Sequence, residues 1–268
     1  MIKAIVAGAA GKMGGRNIHM VHQAEGIKLA AAFERPGHPA LGQDVGEVTG
    51  LGKIGIPISE GLESVIKKGD VIIDFTFHAS SLEHVALAAK HKKAIVVGTT
   101  GFTPEEMKEI KKLAKKVRCV LAPNMSVGVN VLYKVVQDVA GILGEGYDVE
   151  IVEAHHRLKK DAPSGTAVKL AQVLAGALGR DLDKVGVYAR HGMIGQRTNE
   201  EIGIQTVRGG DIVGEHTVLF AGIGERIEVI HRAHSRDNFA RGAVRAAMWI
   251  VNQKNGIYDM QDVLGLRK

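Results

Sequence analysis

Short apolar runs, IKAIVAG, KLAAAFE, VIIDFT, AIVVGTT and RCVLAPN, recur through residues 2–124. Between them lie stretches with helical spacing: one from about Met13, SLEHVALAAKHKK, and PEEMKEIKKLAKK. A run of aliphatic and β-branched residues without strict alternation suits a strand covered on both faces, and such strands joined by helices are parallel neighbours. Residues 1–126 therefore read as a doubly wound α/β unit. One helix start is written out: Thr103 caps, Pro104 takes the first helical position, and Glu106 stands where a capping box places its carboxylate.

Beyond Ser126 the pattern changes. A long helix, VNVLYKVVQDVAGIL, precedes the strand DVEIVEAHH and a helix from Gly165 to Leu178. The strands KVGVYAR, EIGIQTVR, GEHTVLF and ERIEVIHRA then follow closely. Strands crowded together without helices between them form antiparallel or mixed sheets, so residues 127–235 read as a second, α+β unit. A final helix, NFARGAVRAAMWIVNQ, opens residues 236–268, and its pattern alone does not decide which unit it closes.

With 268 residues the chain is long enough to bury a sizeable core, and 45% hydrophobic against 24% charged residues argues against disorder. No apolar run suggests a membrane span, and the start lacks a signal peptide's layout. The one cysteine, Cys119, lies in an apolar run and reads as a small buried hydrophobe, so a reducing, cytoplasmic setting is expected. The net charge of +6 is spread over scattered lysines without interleaved aromatic residues, which fits small anionic ligands better than nucleic acid.

Gly8, Gly11 and Gly14 follow the first strand in a GxxGxxG spacing and precede a helix, where glycines allow a tight turn and a pyrophosphate close to the backbone. The second strand ends at Glu34, twenty positions beyond Gly14, where an acid accepts from the adenosine ribose hydroxyls. Arg35 follows, and a guanidinium pairs with a 2′-phosphate, so both NADH and NADPH are expected. Lys12 adds a second positive charge in the phosphate loop. The strand ends at Gly98 to Phe102 and Ala122 to Gly128 fall at the carboxyl edge, flanking the nicotinamide.

The stretch EAHHRLKKDAPSGTA, Glu153 to Ala167, is the densest chemistry in the chain. Read singly, His155 is a core histidine and Lys159 and Lys160 are solvated loop charges. At the end of a strand His155 and His156 point to opposite faces, a poor pair for one metal, and no metal is expected. Ser164 caps the next helix, whose amides at Gly165 and Thr166 offer a seat for a carboxylate. A small dicarboxylate is the ligand this arrangement suits.

At these residues the chain resembles the 4-hydroxy-tetrahydrodipicolinate reductase (dihydrodipicolinate reductase) family. The resemblance runs from GAAGKMG through FER, DFT, GTTGF, APNMSVGVN and EAHHRLKKDAPSGTA to RGGDIVGEHTVLF, GERIEVIHRAHSR and FARGAVRAA. It implies reduction of a cyclic imine dicarboxylate by NADH or NADPH on a Rossmann-like fold. By the same resemblance His155 is the proton donor and acceptor, Lys159 is a second proton donor, and His156, Gly165 and Thr166 hold the substrate carboxylates. Cofactor contacts are implied at Gly8, Ala9, Ala10, Gly11, Lys12, Met13, Glu34, Arg35, Gly98, Thr99, Thr100, Ala122, Pro123, Asn124 and Met125. Pro123 and Met125 depart from the alanine and phenylalanine that related enzymes often carry. Also implied are a homotetramer built through the second unit and a final helix that returns to the first. Two rival readings are a related dehydrogenase acting on an amino acid or sugar, and a non-catalytic NADPH-binding sensor.

Overall fold

In the computed structural model, which describes residues 1–267, the first half forms β1 (Ile2–Ala7), α1 (Lys12–Gln23), β2 (Ile27–Glu34), α2 (Val45–Thr49), β3 (Ile58–Glu60), β4 (Val71–Asp74), α3 (His78–Lys90), β5 (Ala94–Val97), α4 (Pro104–Leu113) and β6 (Arg118–Leu121). Next come α5 (Val127–Leu143), β7 (Asp148–His155), α6 (Gly165–Ala177), α7 (Leu182–Val185), β8 (Gly186–Val187), β9 (Ile202–Arg208), β10 (Gly214–Ala221) and β11 (Arg226–Ala233). The chain closes with α8 (Asp237–Ile250), β12 (Gly256–Tyr258) and α9 (Met260–Val263). Residues 1–127 with 236–267 make one unit, and residues 128–235 make the other.

The first unit is a parallel sheet in the order β12-β6-β5-β4-β1-β2-β3. Side chains alternate across it: Ala4, Val6, Ile73 and Val96 enter one buried cluster with α1 and α8, while Ile5, Ile72, Ile95 and Cys119 enter another on the opposite face. Burial pushes the Cys119 thiol up to about 12, as befits a small hydrophobe. Strand order reverses at β1, whose neighbours are β4 and β2, so the crevice used by open α/β sheets lies beyond its carboxyl end. The capping box is present at α4: Thr103 Oγ1 accepts from Glu106 N at 3.2 Å, and Glu106 Oε2 accepts from Thr103 N at 2.8 Å.

The C-terminal stretch is more than a helix. After α8 ends at Ile250, Asn255 and Gly256 turn the chain into β12, which pairs with β6, and Asp259 caps α9. A three-residue edge strand has too few positions for alternation to show. The closest packing here is at Gly242 of α8, where an added Cβ would stand 1.7 Å from the carbonyl oxygen of Met125. That helix is thereby seated on the loop after β6.

In the second unit a mixed sheet runs β11-β10-β7-β9-β8, antiparallel from β11 to β7 and parallel from β7 to β8. Val149 and Ile151 of β7, and Val218 and Phe220 of β10, pack with Leu132 and Val136 of α5 and Leu170 and Leu174 of α6. Val127–Gly146 is apolar and long enough to pass as a membrane span by composition, and one of its faces, with Leu132, Val136 and Ala140, is buried in this cluster. The strand expected over KVGVYAR shrinks to two residues. Asp181 caps α7 across its beginning, and Arg190 leaves the sheet to pair bidentately with Glu150 at 2.8 Å.

Candidate active site

Glycine chemistry shapes the first unit's binding crevice. An added Cβ at Gly14 would lie 1.9 Å from the carbonyl oxygen of Gly8, so only glycine lets α1 start this close to the loop. Beyond that loop opens a cavity of about 770 Å³ lined by Gly8, Ala10, Gly11, Lys12, Met13, Glu34 and Arg35. Glu34 is buried and fixed at its mouth, since Oε1 accepts from Ala10 N at 3.0 Å and Oε2 from Arg35 N at 3.2 Å. The Arg35 side chain is exposed beside it. An acid pinned against the glycine loop, a free guanidinium and a close-packed helix start fit a dinucleotide.

A second cavity of about 370 Å³ in the same unit joins Lys12 and Met13 to Gly98, Pro123, Asn124 and Met125. Four of the expected contact residues line neither cavity. Ala9 and Ala122 are core residues, Thr99 is buried with its hydroxyl accepting from Ser81 Oγ at 2.7 Å, and Thr100 is exposed. Sequence reasoning missed Arg236 and Phe239, which line the second cavity from around the start of α8, and His84, which lines the first. His84 Nδ1 donates to the buried Asp74 Oδ2 at 2.7 Å, and its ring meets Phe33 edge-on at 5.1 Å. The DFT motif held that signal, because an acid ending a buried strand requires a partner.

In the second unit the basic stretch turns from β7 into α6. Burial alternates along β7, leaving His155 buried and His156 half-buried with its Nδ1 lacking a hydrogen-bond partner. Lys159 Nζ pairs with Asp161 Oδ2 at 2.9 Å, and the ammonium holds that carboxyl below its ordinary value. Ser164 Oγ caps α6 by accepting from Ala167 N at 3.2 Å. Gly165 is exposed in the first helical turn, and Thr166 shares a hydrogen bond with the hydroxyl of Tyr133, which burial pushes up to about 12. Thus His155, His156, Lys159, Gly165 and Thr166 are drawn to one strand-to-helix turn. No group of side chains suited to a metal occurs among the described residues.

Three functional candidates here escaped sequence reading: Glu153, Arg208 and His216. Burial alone would raise the Glu153 carboxyl, but hydrogen bonds from His155, Arg208 and Ser164 outweigh it and hold the group well below the usual carboxylate range. His216 faces Glu153 and His231 across the neighbouring strands, and its Nε2 lies 3.2 Å from Ser164 Oγ. Burial first, then the charge of His155, pushes it down to about 3.

A histidine kept neutral in the fold confers acid sensitivity. Below the ordinary value of 6.5 the unfolded chain takes up a proton that folded His216 refuses until about 3, so stability falls as pH drops through that window. The expected outcome in urea unfolding is that the gap between wild type and His216→Asn narrows steadily from pH 7 to pH 4. A constant gap would remove His216 from the acid response.

Such a sheet and glycine crevice, with an imidazole and ammonium beside a helix start, place the chain among pyridine-nucleotide-linked oxidoreductases. The family models for dihydrodipicolinate reductase match it at residues 2–125 for the N-terminus and 128–264 for the C-terminus. The chain belongs to the dihydrodipicolinate reductase family. It is 61% identical over 267 residues to 4-hydroxy-tetrahydrodipicolinate reductases of Syntrophus aciditrophicus and Geobacter sp. (strain M21), with 100% of each chain covered. Dipicolinate-bound dihydrodipicolinate reductase from Paenisporosarcina sp. TG-14 superposes with a TM-score of 0.75 at 28% identity, covering 98% of both chains. An amine dehydrogenase from Mycobacterium smegmatis shares the fold alone, at a TM-score of 0.59 and 15% identity, with 96% of this chain and 94% of that one covered.

Proposed function

We propose that the chain reduces 4-hydroxy-tetrahydrodipicolinate to tetrahydrodipicolinate with loss of water, using NADH or NADPH, in the diaminopimelate route to lysine. The observation that carries this reading is the strand-to-helix turn, where His156 and Lys159 stand beside the start of α6. Gly165, Thr166 and His156 hold the ring carboxylates through amides and imidazole, and the helix dipole adds to their attraction. Loss of the 4-hydroxyl with a ring hydrogen as water leaves a conjugated imine. When bound, the reduced nicotinamide supplies the hydride that this imine accepts at its conjugated carbon.

One proton completes the product. His155 exchanges it with the ring, and Lys159 supplies the second donor while its charge offsets electron density developing on nitrogen. In the first unit Gly8, Ala10, Gly11, Lys12 and Met13 cradle the pyrophosphate. Glu34 takes the ribose hydroxyls, Arg35 meets the 2′-phosphate of NADPH, and Gly98 with Pro123, Asn124 and Met125 flanks the nicotinamide. The second unit also carries assembly into a homotetramer, a reading supported by Val207 and Ile230, exposed on the sheet face opposite the α5 and α6 cluster. A cytoplasmic setting is supported by the single, buried cysteine.

The test follows loss of absorbance of NADH and of NADPH with substrate freshly made from pyruvate and aspartate semialdehyde, with pyridine-2,6-dicarboxylate as competitor. Oxidation of both cofactors, inhibited by the planar diacid, is expected. Turnover with an amino acid or sugar and none with the cyclic imine would replace this reading.

A further inference from the structure

Glu153 is an acid at the head of a basic stretch, and it is wholly buried. Its Oε2 accepts from His155 Nδ1 at 2.6 Å and Arg208 Nη1 at 2.8 Å. Its Oε1 accepts from Arg208 Nη2 at 2.9 Å, Ser164 N at 2.9 Å and Thr206 Oγ1 at 3.3 Å. These donors come from β7, from β9 and from the cap of α6. The bidentate guanidinium already balances the carboxylate's charge, so neutralising Glu153 does not require the imidazole.

What the carboxylate gives His155 is orientation. An ionised carboxylate only accepts, so the nitrogen facing it, Nδ1, carries the proton. Nε2 is then the nitrogen left bare to take up and return the exchanged proton. It lies on the other side of the ring, 3.0 Å from where a side chain on Gly214 would begin. The charged and titratable groups of this cluster are Glu153 on β7, Arg208 on β9, His216 on β10 and His231 on β11, with Lys159 of the turn acting on His216. His216 meets it ring to ring at 5.3 Å and turns its own Nε2 to Ser164, so it does not compete for His155. Among the described residues Glu153 is the hydrogen-bond partner of this imidazole.

We infer that Glu153 is the positioning residue of the proton transfer: held by Arg208 and Ser164, it fixes His155 in the Nδ1–H form and presents Nε2 to the ring. The same carboxylate ties that imidazole to the helix start, so proton donor and carboxylate seat share one reference point. The inference rests on His155 being the proton donor.

The experiment uses the full chain with ¹⁵N-labelled histidine, with His155 assigned by comparison with His155→Gln, and steady-state kinetics of Glu153→Gln. In the wild type His155 carries its hydrogen on Nδ1, and in Glu153→Gln the Nε2–H form gains population. Turnover of Glu153→Gln falls about 10- to 100-fold, the scale for loss of a group that orients a working imidazole, while KM for the dicarboxylate stays near wild type. A folded Glu153→Gln with normal turnover and an unchanged tautomer overturns the inference. So does Nε2–H in the wild type, a measurement that stands even where the variant does not fold. If His155→Gln turns over normally, the error lies instead in the proton role assigned to His155.

Discussion

Lys159→Ala lowers kcat about 100-fold or more, the scale of a positioned proton donor, and leaves NADH and NADPH affinity near wild type. The side chain is 21% exposed and its partner Asp161 is 62% exposed, so their ion pair contributes little to folding and opens at small cost when a dicarboxylate arrives. Loss of the ammonium therefore registers in the chemistry and not in the fold. Cofactor affinity is spared because the crevice proposed for the dinucleotide is lined by residues of the other unit. Lys160→Ala, one position on and exposed, serves as the control and keeps turnover within a few-fold. Rates from stopped-flow and cofactor affinities from fluorescence titration check both statements. Near-normal turnover in Lys159→Ala would take the lysine out of the reaction.

Arg208→Ala destabilises the chain by about 3 kcal/mol, the lower end of what breaking a buried ion pair costs. The lower end applies because His155, Ser164 and Thr206 still donate to Glu153 after the guanidinium is gone. Arg208 Nη2 also donates to the Asp161 carbonyl at 2.6 Å, so its loss frees the turn as well. A pH consequence follows with a definite sign. Folded Glu153 titrates below its unfolded value of 4.5, so the stability it contributes is complete above that pH and disappears as pH falls toward the lower folded value. Without Arg208 the folded value moves up, and that contribution is smaller throughout. Urea unfolding at pH 7 and at pH 4 separates the variant from wild type more at the first than at the second. Thr206→Val, which removes only the 3.3 Å contact, should cost about 1 kcal/mol or less.

The elements that sequence reveals are those with a concentrated apolar run or a start written out in cap residues. The runs at β1, β2, β4, β5 and β6 are short but mostly apolar, and α4 carries its start in Thr103, Pro104 and Glu106. β3 and β12 were not legible, because three residues at a sheet edge impose neither composition nor alternation. β8 is over-read for the opposite reason: β-branched and aromatic residues there suggest a strand, while Asp181 caps α7 across its start and Arg190 reaches Glu150 on β7. Site legibility divides the same way. Glycines and a capped basic turn advertise themselves locally, whereas Arg208 stands 55 residues from the carboxylate it serves, and only pairing of β9 with β7 joins them.

The parallel sheet has one further implication, for biosynthesis of the chain. Its edge strand β12 and the covering helix α8 are encoded after the whole of residues 128–235. On a ribosome the middle segment emerges complete and free to organise, while the opening segment must wait with one flank bare until the last helix is released. The inserted portion is thus the natural first folder, and truncation anywhere past Ser235 harms the beginning of the protein rather than its end.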